Sequence, residues 1–207
     1  MAPKPLTKPR KEASQQRSRA TVDALVEATA RVLVREGFDK ASTNRIAEVA
    51  GVSIGSLYQY FPSKEALVAA VIDRHNRETM QLVHRALAEV ASLPIDKAVR
   101  GLVAIAVEAH QVDPKLHRVL AEQIPKTGRL SEAGALNREI FALFKSYLER
   151  HSKELRMPDL GIAAFVCVTS IEAVAHTAVL HHAETISGDR IETLIDETTR
   201  LIVRYLK

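Results

Sequence analysis

Apolar residues recur at helical spacing through almost the whole chain, and this periodicity restricts its fold more than any other feature. From about residue 17, apolar positions repeat every three or four residues, as the buried stripe of an amphipathic helix requires. The eight glycines and eight prolines mostly fall between these segments, where they end one helix or begin the next. Alternating segments of the kind that form strands are scarce. The pattern therefore predicts an all-α protein.

Start and stop signals divide the chain into nine predicted helices, with no internal repeat. Gly37 is a stop signal for the first of them, and Pro62 is one for the third. Residues 1–16 have no periodic apolar face and are predicted to form a flexible basic arm. The predicted helices are 17–36, 43–50, 54–61, 63–91, 95–112, 114–124, 131–156, 159–183 and 189–206.

Charge is distributed unevenly along the chain. Residues 1–65 contain eleven Lys or Arg and seven Asp or Glu, whereas the remaining residues contain eighteen of each type. A basic surplus confined to one end indicates a module that binds a polyanion, attached to a neutral body. Solvated basic faces are also common in proteins, so charge alone leaves both interpretations open.

The single cysteine rules out an internal disulfide and a multi-cysteine metal site. Cys167 lies in an apolar run, and we expect a buried structural thiol rather than a redox sensor. Residues 160–180 are the most apolar segment, but polar residues such as Glu172 interrupt them, which favours a buried helix over a membrane span. Residues 1–20 contain no apolar segment of the kind that a secretory signal requires. Their basic composition is similar to that of organellar transit peptides, although a short flexible arm is the simpler interpretation. We expect a cytoplasmic protein with no membrane partner.

Two short predicted helices in the basic part of the chain are joined through Gly51, Val52 and Ser53. Gly51 stands where a helix end favours a left-handed residue, and Ser53 is suited to cap the next helix. Two helices joined by such a turn, after a longer first helix, form a helix-turn-helix.

The second short helix has an apolar side and a polar side. Leu57 and Phe61 are four residues apart and are predicted to face the core, which turns Gly55, Ser56 and Gln59 outward. An outward face of small and hydrogen-bonding residues fits the major groove of double-stranded DNA. Tyr58 and Tyr60 lie on its flanks, where their hydroxyl groups suit phosphates.

Residues 17–65 resemble the tetracycline-repressor (TetR) family without gaps. The resemblance rests on the runs Glu36–Phe38, Ser42–Ala47, Ala50–Tyr58, Tyr60–Phe61 and Ser63–Leu67. It implies a DNA-binding helix-turn-helix domain at residues 17–62 and a ligand-binding and dimerisation domain at residues 63–207. It also implies a ligand-responsive transcription regulator, a repressor by analogy, that a small hydrophobic or amphipathic molecule releases from its operator.

The resemblance assigns roles in DNA binding to eleven residues. Thr43, Tyr58, Tyr60 and Lys64 are expected to contact phosphates, and Asn44 to reach a base. Ile54 is expected to touch a thymine methyl group or to pack. The basic arm is expected to add phosphate or minor-groove contacts through Lys4, Lys8, Arg10, Lys11, Arg17 and Arg19. Each position has a plainer alternative as a helix cap, a turn residue or a packing residue. The full set is Thr43, Asn44, Arg45, Ser53, Ile54, Gly55, Ser56, Tyr58, Gln59, Tyr60 and Lys64.

In the body, the resemblance implies a homodimer through helices 159–183 and 189–206. Ala173 and Ala175 are candidate positions to face the mate, where a Glu would split the dimer. Aromatic residues and histidines in this part are candidates to line a pocket for the effector, although core packing is an alternative for each. These candidates are His110, Phe141, Phe144, Phe165 and His176.

Sequence motifs typical of enzymes and of cofactor-binding proteins are missing from the sequence. No phosphate-binding loop, dinucleotide turn, zinc-protease motif or nucleophile elbow occurs in the sequence, so we expect neither an enzyme nor a cofactor. The histidines lack the spacing of a helical metal pair, so we expect no metal site. An all-helical enzyme, and an architectural DNA-binding protein without a ligand, stay open as alternatives. Turnover of a bound compound would favour the first, and DNA binding that ignores every ligand would favour the second.

Overall fold

A computed structural model describes residues 16–127 and 130–207, so the predicted basic arm lies almost entirely outside the described part. Within it the chain forms nine α-helices, one short 3-10 helix and no strand, which confirms the predicted all-α class. The helices are α1 (Gln16–Lys40), α2 (Thr43–Ala50), α3 (Ile54–Tyr60), α4 (Lys64–Val90), α5 (Ile95–Gln111), α6 (Pro114–Thr127), α7 (Leu130–Arg150), α8 (Leu160–His181) and α9 (Asp189–Leu206).

The helix ends differ from prediction where tertiary contacts decide them. Helix α7 was predicted to continue to residue 156, but it ends at Arg150 and a 3-10 turn follows at Ser152–Glu154. The Arg156 amide instead donates to the Leu206 carbonyl oxygen at 3.0 Å, which ties this connection to the end of α9. Gly37 interrupts α1 as predicted, with φ 74° and ψ 168°, although helical structure resumes and continues to Lys40.

The chain divides into two compact units. Unit 1 comprises the residues up to Arg77 together with residues 115–131, and unit 2 comprises residues 78–114 and 132–207. The boundary predicted at residue 62 separates two functions, whereas these units are separated by their internal packing. The predicted boundary therefore stays a prediction.

Unit 1 has a core of apolar side chains from α1, α2, α3, the first half of α4, and α6. Periodic apolar positions on each helix face one another there, as the spacing in the sequence predicts. Members that are at most 1% exposed include Leu25, Leu33, Ile46, Leu57, Phe61, Leu67 and Val71.

Unit 2 is built on the packing of α5 against α8 and α9. Its core includes Val99, Tyr147, Cys167 and Leu206, all fully or almost fully buried. Ion pairs from Arg100 to Glu192 and Asp196, at 2.7 and 3.0 Å, also join α5 to α9. All three side chains are largely exposed, so solvent screening makes the contribution of these pairs to stability small.

Helix α8 has one buried side and one open side. Ala163, Cys167 and Ala175 face the core of unit 2, whereas Ile162 and Phe165 are 56% and 55% exposed. Among the described helices, α8 is the one long and apolar enough to cross a membrane, a test that core helices of globular proteins also pass.

The expectation that Ala175 could face a mate is wrong, because this side chain is 1% exposed and packed in the core. Ala173 lies on the exposed side.

The buried thiol gives a first prediction. Burial raises the pKa of Cys167 to about 12, and only the thiolate attacks a disulfide reagent. Native protein at pH 8 should therefore leave Cys167 unmodified by an aromatic disulfide, and unfolding in denaturant should expose one reactive thiol per chain. A Cys167→Ala/Ser187→Cys variant is the matched control, since Ser187 is exposed between α8 and α9, and it should react at once. Rapid stoichiometric reaction of the native wild-type chain would contradict the buried assignment.

Candidate nucleic-acid interface

Helix α2 is capped by Ser42 at its start and, as the sequence indicates, by Gly51 at its end. The Ser42 hydroxyl oxygen accepts a hydrogen bond from the Arg45 amide at 3.2 Å. At the other end Gly51 adopts the left-handed conformation, with φ 68° and ψ 29°. Its amide donates to Glu48, and the Val52 amide donates to the Ala47 carbonyl oxygen at 3.0 Å. These bonds satisfy the last carbonyl groups of α2 and turn the chain sharply toward α3.

Helix α3 presents the face that its sequence predicts. Ser53 caps it by accepting from the Ser56 amide at 3.1 Å. Leu57 is fully buried and Phe61, just after the helix, is 1% exposed. Gly55 and Gln59 are exposed on the other side. The outward surface therefore combines a residue without a side chain and a flexible amide, which suits close approach to base edges.

Two of the predicted phosphate-binding groups lie together. The Thr43 hydroxyl at the start of α2 and the Tyr58 hydroxyl on α3 are 3.0 Å apart and share a hydrogen bond. Tyr58 is 43% exposed. Because each hydroxyl can both donate and accept, the pair offers a donor next to the first free amides of α2. The sequence placed these residues fifteen positions apart, and only the fold reveals that they meet.

Arg45 has an intramolecular role that the sequence did not predict. Its guanidinium group lies 2.8 Å from Glu48 and 3.0 Å from Glu36, so it joins α2 to the end of α1. Hydrogen bonds to Glu48 and Glu36 raise the pKa of Arg45. Glu48 follows Arg45 by three residues on α2, a spacing that predicts a helical ion pair. The contact with Glu36 can be seen only in the tertiary structure. A DNA contact by Arg45 stays a prediction.

Lys64 also makes a contact inside unit 1. Its ammonium group donates to the Phe38 carbonyl oxygen at 2.8 Å and lies 4.1 Å from the centre of the Phe38 ring. An ammonium group has three donors, so the bond to Phe38 leaves donors for a phosphate. This contact fixes the start of α4 against the residues that follow Gly37.

The other predicted DNA-contacting residues lie on or beside the same surface. Asn44, Ser53 and Ile54 are exposed, with Ile54 at 38%. Ser56 is half-buried, with its hydroxyl 2.9 Å from that of Ser53. Tyr60 is partly buried against the core of unit 1, which fits a packing role at least as well as a phosphate contact. Of the basic arm, Arg19 is exposed, whereas Lys4, Lys8, Arg10 and Lys11, and the side chain of Arg17, lie outside the described part.

Four of the candidate effector-binding residues form ring pairs in unit 2: His110 with His176 at 5.6 Å and Phe141 with Phe165 at 5.7 Å between ring centres. Phe144 is 3% exposed and stacks on Tyr147 in the core. The effector-binding role of these five residues stays a prediction.

Two family models match the chain. The model for bacterial regulatory proteins of the tetR family covers residues 25–71. The model for the tetracyclin repressor-like C-terminal domain covers residues 94–206, more than half of the sequence.

Individual relatives agree with these models. The nucleoid occlusion factor SlmA of Haemophilus ducreyi is 27% identical over 116 residues, which cover 56% of this chain and 55% of that protein. The HTH-type transcriptional regulator PksA of Bacillus subtilis is 30% identical over 131 residues, 63% of this chain and 52% of that protein. The chain thus spans about half the length of the curated relatives that it matches. The structure of the fatty acid degradation regulator FadR from Bacillus halodurans superposes with a TM-score of 0.70 at 17% identity, over 94% of this chain and 97% of that one. At this identity the likeness shows the fold.

The turn between α2 and α3 gives a second prediction. Gly51→Ala should lower the free energy of unfolding by about 1 kcal/mol, because a Cβ is strained at positive φ. Gly55→Ala is the matched control. A Cβ there meets only the Ser53 hydroxyl oxygen at 3.9 Å, and its helical position favours Ala by about 0.5–1 kcal/mol. Urea unfolding of both variants measures the difference, and equal stabilities would contradict the left-handed assignment at Gly51.

Proposed function

Because this chain belongs to the TetR family of bacterial regulatory proteins, we propose that it is a ligand-responsive transcription regulator that binds operator DNA as a homodimer. The family is one of regulators and not of enzymes. The observation that supports DNA binding best is the two-sided α3, with Leu57 fully buried and Gly55 and Gln59 exposed. We propose a cytoplasmic location, as is normal for such regulators.

In the proposed complex α3 enters the major groove. Gly55 lets the helix backbone approach the bases closely, and Gln59 and Asn44 offer amide groups to base edges. The hydroxyl pair of Thr43 and Tyr58 and the ammonium group of Lys64 bind phosphates on the groove walls. The internal bonds of Lys64 and of the hydroxyl pair hold these groups in place before DNA arrives, which lowers the entropic cost of binding.

The open faces of α8 and α9 support the proposed homodimer. One recognition helix reads one half-site, so a palindromic operator requires two chains related by a two-fold axis. Ile162 and Phe165 on α8 and Leu201 on α9 are each more than half exposed. Larger exposed apolar patches mark protein–protein interaction sites. We therefore propose that α8 and α9 of two chains pack together.

The proposed effector site lies in unit 2, with His110, Phe141, Phe144, Phe165 and His176 as its candidate residues. Helix α4 is continuous from Lys64 to Val90, and its two halves belong to different units. A ligand that prefers one arrangement of unit 2 changes the separation of the two recognition helices through this helix. The ligand can shift the balance only by its differential affinity for the two states, typically about 1–3 kcal/mol. Release from the operator by the ligand makes the protein a repressor.

Selection from a random duplex library tests DNA binding. We expect a roughly palindromic motif whose half-sites are about 34–36 Å, or a small multiple of this distance, apart. Tyr58→Phe should weaken binding to all sequences, because it removes a phosphate contact. Gln59→Ala should lose about 1–3 kcal/mol of discrimination at one base pair. Tyr205→Phe, a half-buried tyrosine of α9, is the control and should bind as the wild type does. A library from which no motif is enriched would refute the proposal.

Sedimentation velocity at micromolar concentration tests the dimer. Ala173→Glu places a charge on the open side of α8, so this variant should be a folded monomer that binds the operator weakly. Ala142→Glu, at an exposed position of α7, is the matched control and should stay dimeric. Ala175→Glu should instead unfold unit 2, because it buries an unpaired carboxylate in the core. A monomeric wild-type chain, or a dimeric Ala173→Glu variant, would count against this interface.

A further inference from the structure

A small polar cluster lies where α5 packs against α8 in unit 2. Glu172 and His176 are four residues apart on α8, so their side chains share one face of the helix. Helix α5 brings His110 to the same place, with its Nε2 3.3 Å from the Glu172 carboxylate. The rings of His110 and His176 meet edge to face, with their centres 5.6 Å apart. Three groups that commonly bind metal ions thus lie together.

The hydrogen bonding of His110 determines which of its nitrogens faces the cluster with a lone pair. The side chain is 4% exposed, and its Nδ1 lies 2.7 Å from the Ala106 carbonyl oxygen, one turn earlier on α5. A carbonyl oxygen only accepts, so Nδ1 carries the hydrogen and donates. In the neutral ring, Nε2 then directs a lone pair toward the Glu172 carboxylate. Two acceptors at 3.3 Å repel each other unless a proton or a cation lies between them.

We propose that His110, Glu172 and His176 form a binding site for a divalent transition-metal ion of the Zn²⁺ class. Such ions take imidazole nitrogen and carboxylate oxygen at about 2.0–2.2 Å, which places two ligand atoms of a tetrahedral ion about 3.3 Å apart. The His110 and Glu172 atoms already have this separation, 3.3 Å. The ligand nitrogens of His110 and His176 lie within 4.8 Å of each other, and Glu172 is one helical turn before His176 on α8.

The surroundings of the cluster match those of protein metal sites. A metal-binding histidine usually donates its second ring nitrogen to a carbonyl or carboxylate, which fixes the ring and its tautomer, and the Ala106 carbonyl does this for His110. Three protein ligands leave a fourth position for water or a small anion. The ion joins α5 to α8, so it stabilises unit 2 whether or not the chain binds DNA.

Cobalt binding tests the site without reference to DNA. Full-length protein without a polyhistidine tag is stripped with a chelator, dialysed and titrated with Co²⁺, and then with Zn²⁺. We expect one Co²⁺ per chain with the intense visible absorption of a tetrahedral ion, displaced by Zn²⁺. Zn²⁺ should also raise the melting temperature of the wild type by mass action.

Variants connect this binding to the three residues. Glu172→Gln and His176→Asn should each weaken binding at least about 100-fold, since loss of a direct ligand costs no less than loss of a supporting residue. His182→Asn is the matched control, at an exposed histidine just beyond α8, and should bind as the wild type does. Far-UV circular dichroism verifies that each variant is folded. Absence of stoichiometric tetrahedral Co²⁺, or binding that survives in both ligand variants, would overturn the proposal.

Discussion

The burial of Leu57 and Phe61 is the interaction on which the candidate interface depends. These side chains fill the core of unit 1 beside Ile46 and Leu67, all at most 1% exposed. A helix of seven residues has little stability of its own, so α3 exists and keeps its orientation because this apolar side is buried. Burial of one Leu and one Phe contributes about 1.5–3 kcal/mol each. The same burial turns Gly55 and Gln59 outward, so the packed surface and the proposed recognition surface lie on opposite sides of one short helix.

Charged groups around α2 serve the fold as well as the proposed interface. Arg45 is held by Glu36 and Glu48, and Lys64 is bonded to the Phe38 carbonyl oxygen. The basic surplus of the N-terminal third is thus not simply a free positive surface. Arg45 links α1 to α2, and Lys64 links the start of α4 to the residues after α1. An interface whose cations are already positioned loses less side-chain entropy on binding than one with free side chains.

Helix α8 connects three different properties of unit 2. Its buried side, with Cys167 and Ala175, packs in the core. Its open side is apolar at Ile162 and Phe165, which are both more than half exposed in a single chain. The polar positions Glu172 and His176, which argue in the sequence against a membrane span, meet His110 of α5. Helix α8 has contacts on several sides, so a single amphipathic stripe does not describe it.

The sequence by itself determined the helices and the two-sided character of α3. Their apolar spacing, the caps at Ser42 and Ser53 and the stop at Gly51 act over a few residues, so these features can be identified without the fold. Features that depend on contacts between distant segments of the chain were decided only by the tertiary structure. It placed Thr43 against Tyr58 and Arg45 against Glu36, ended α7 early at Arg150, and put Ala175 in the core. It also brought His110 to Glu172 and His176, which spacing between histidines did not predict because one ligand is a carboxylate and another lies on a different helix. Local spacing fixes which side of a helix is apolar, but only packing decides which helix that side meets.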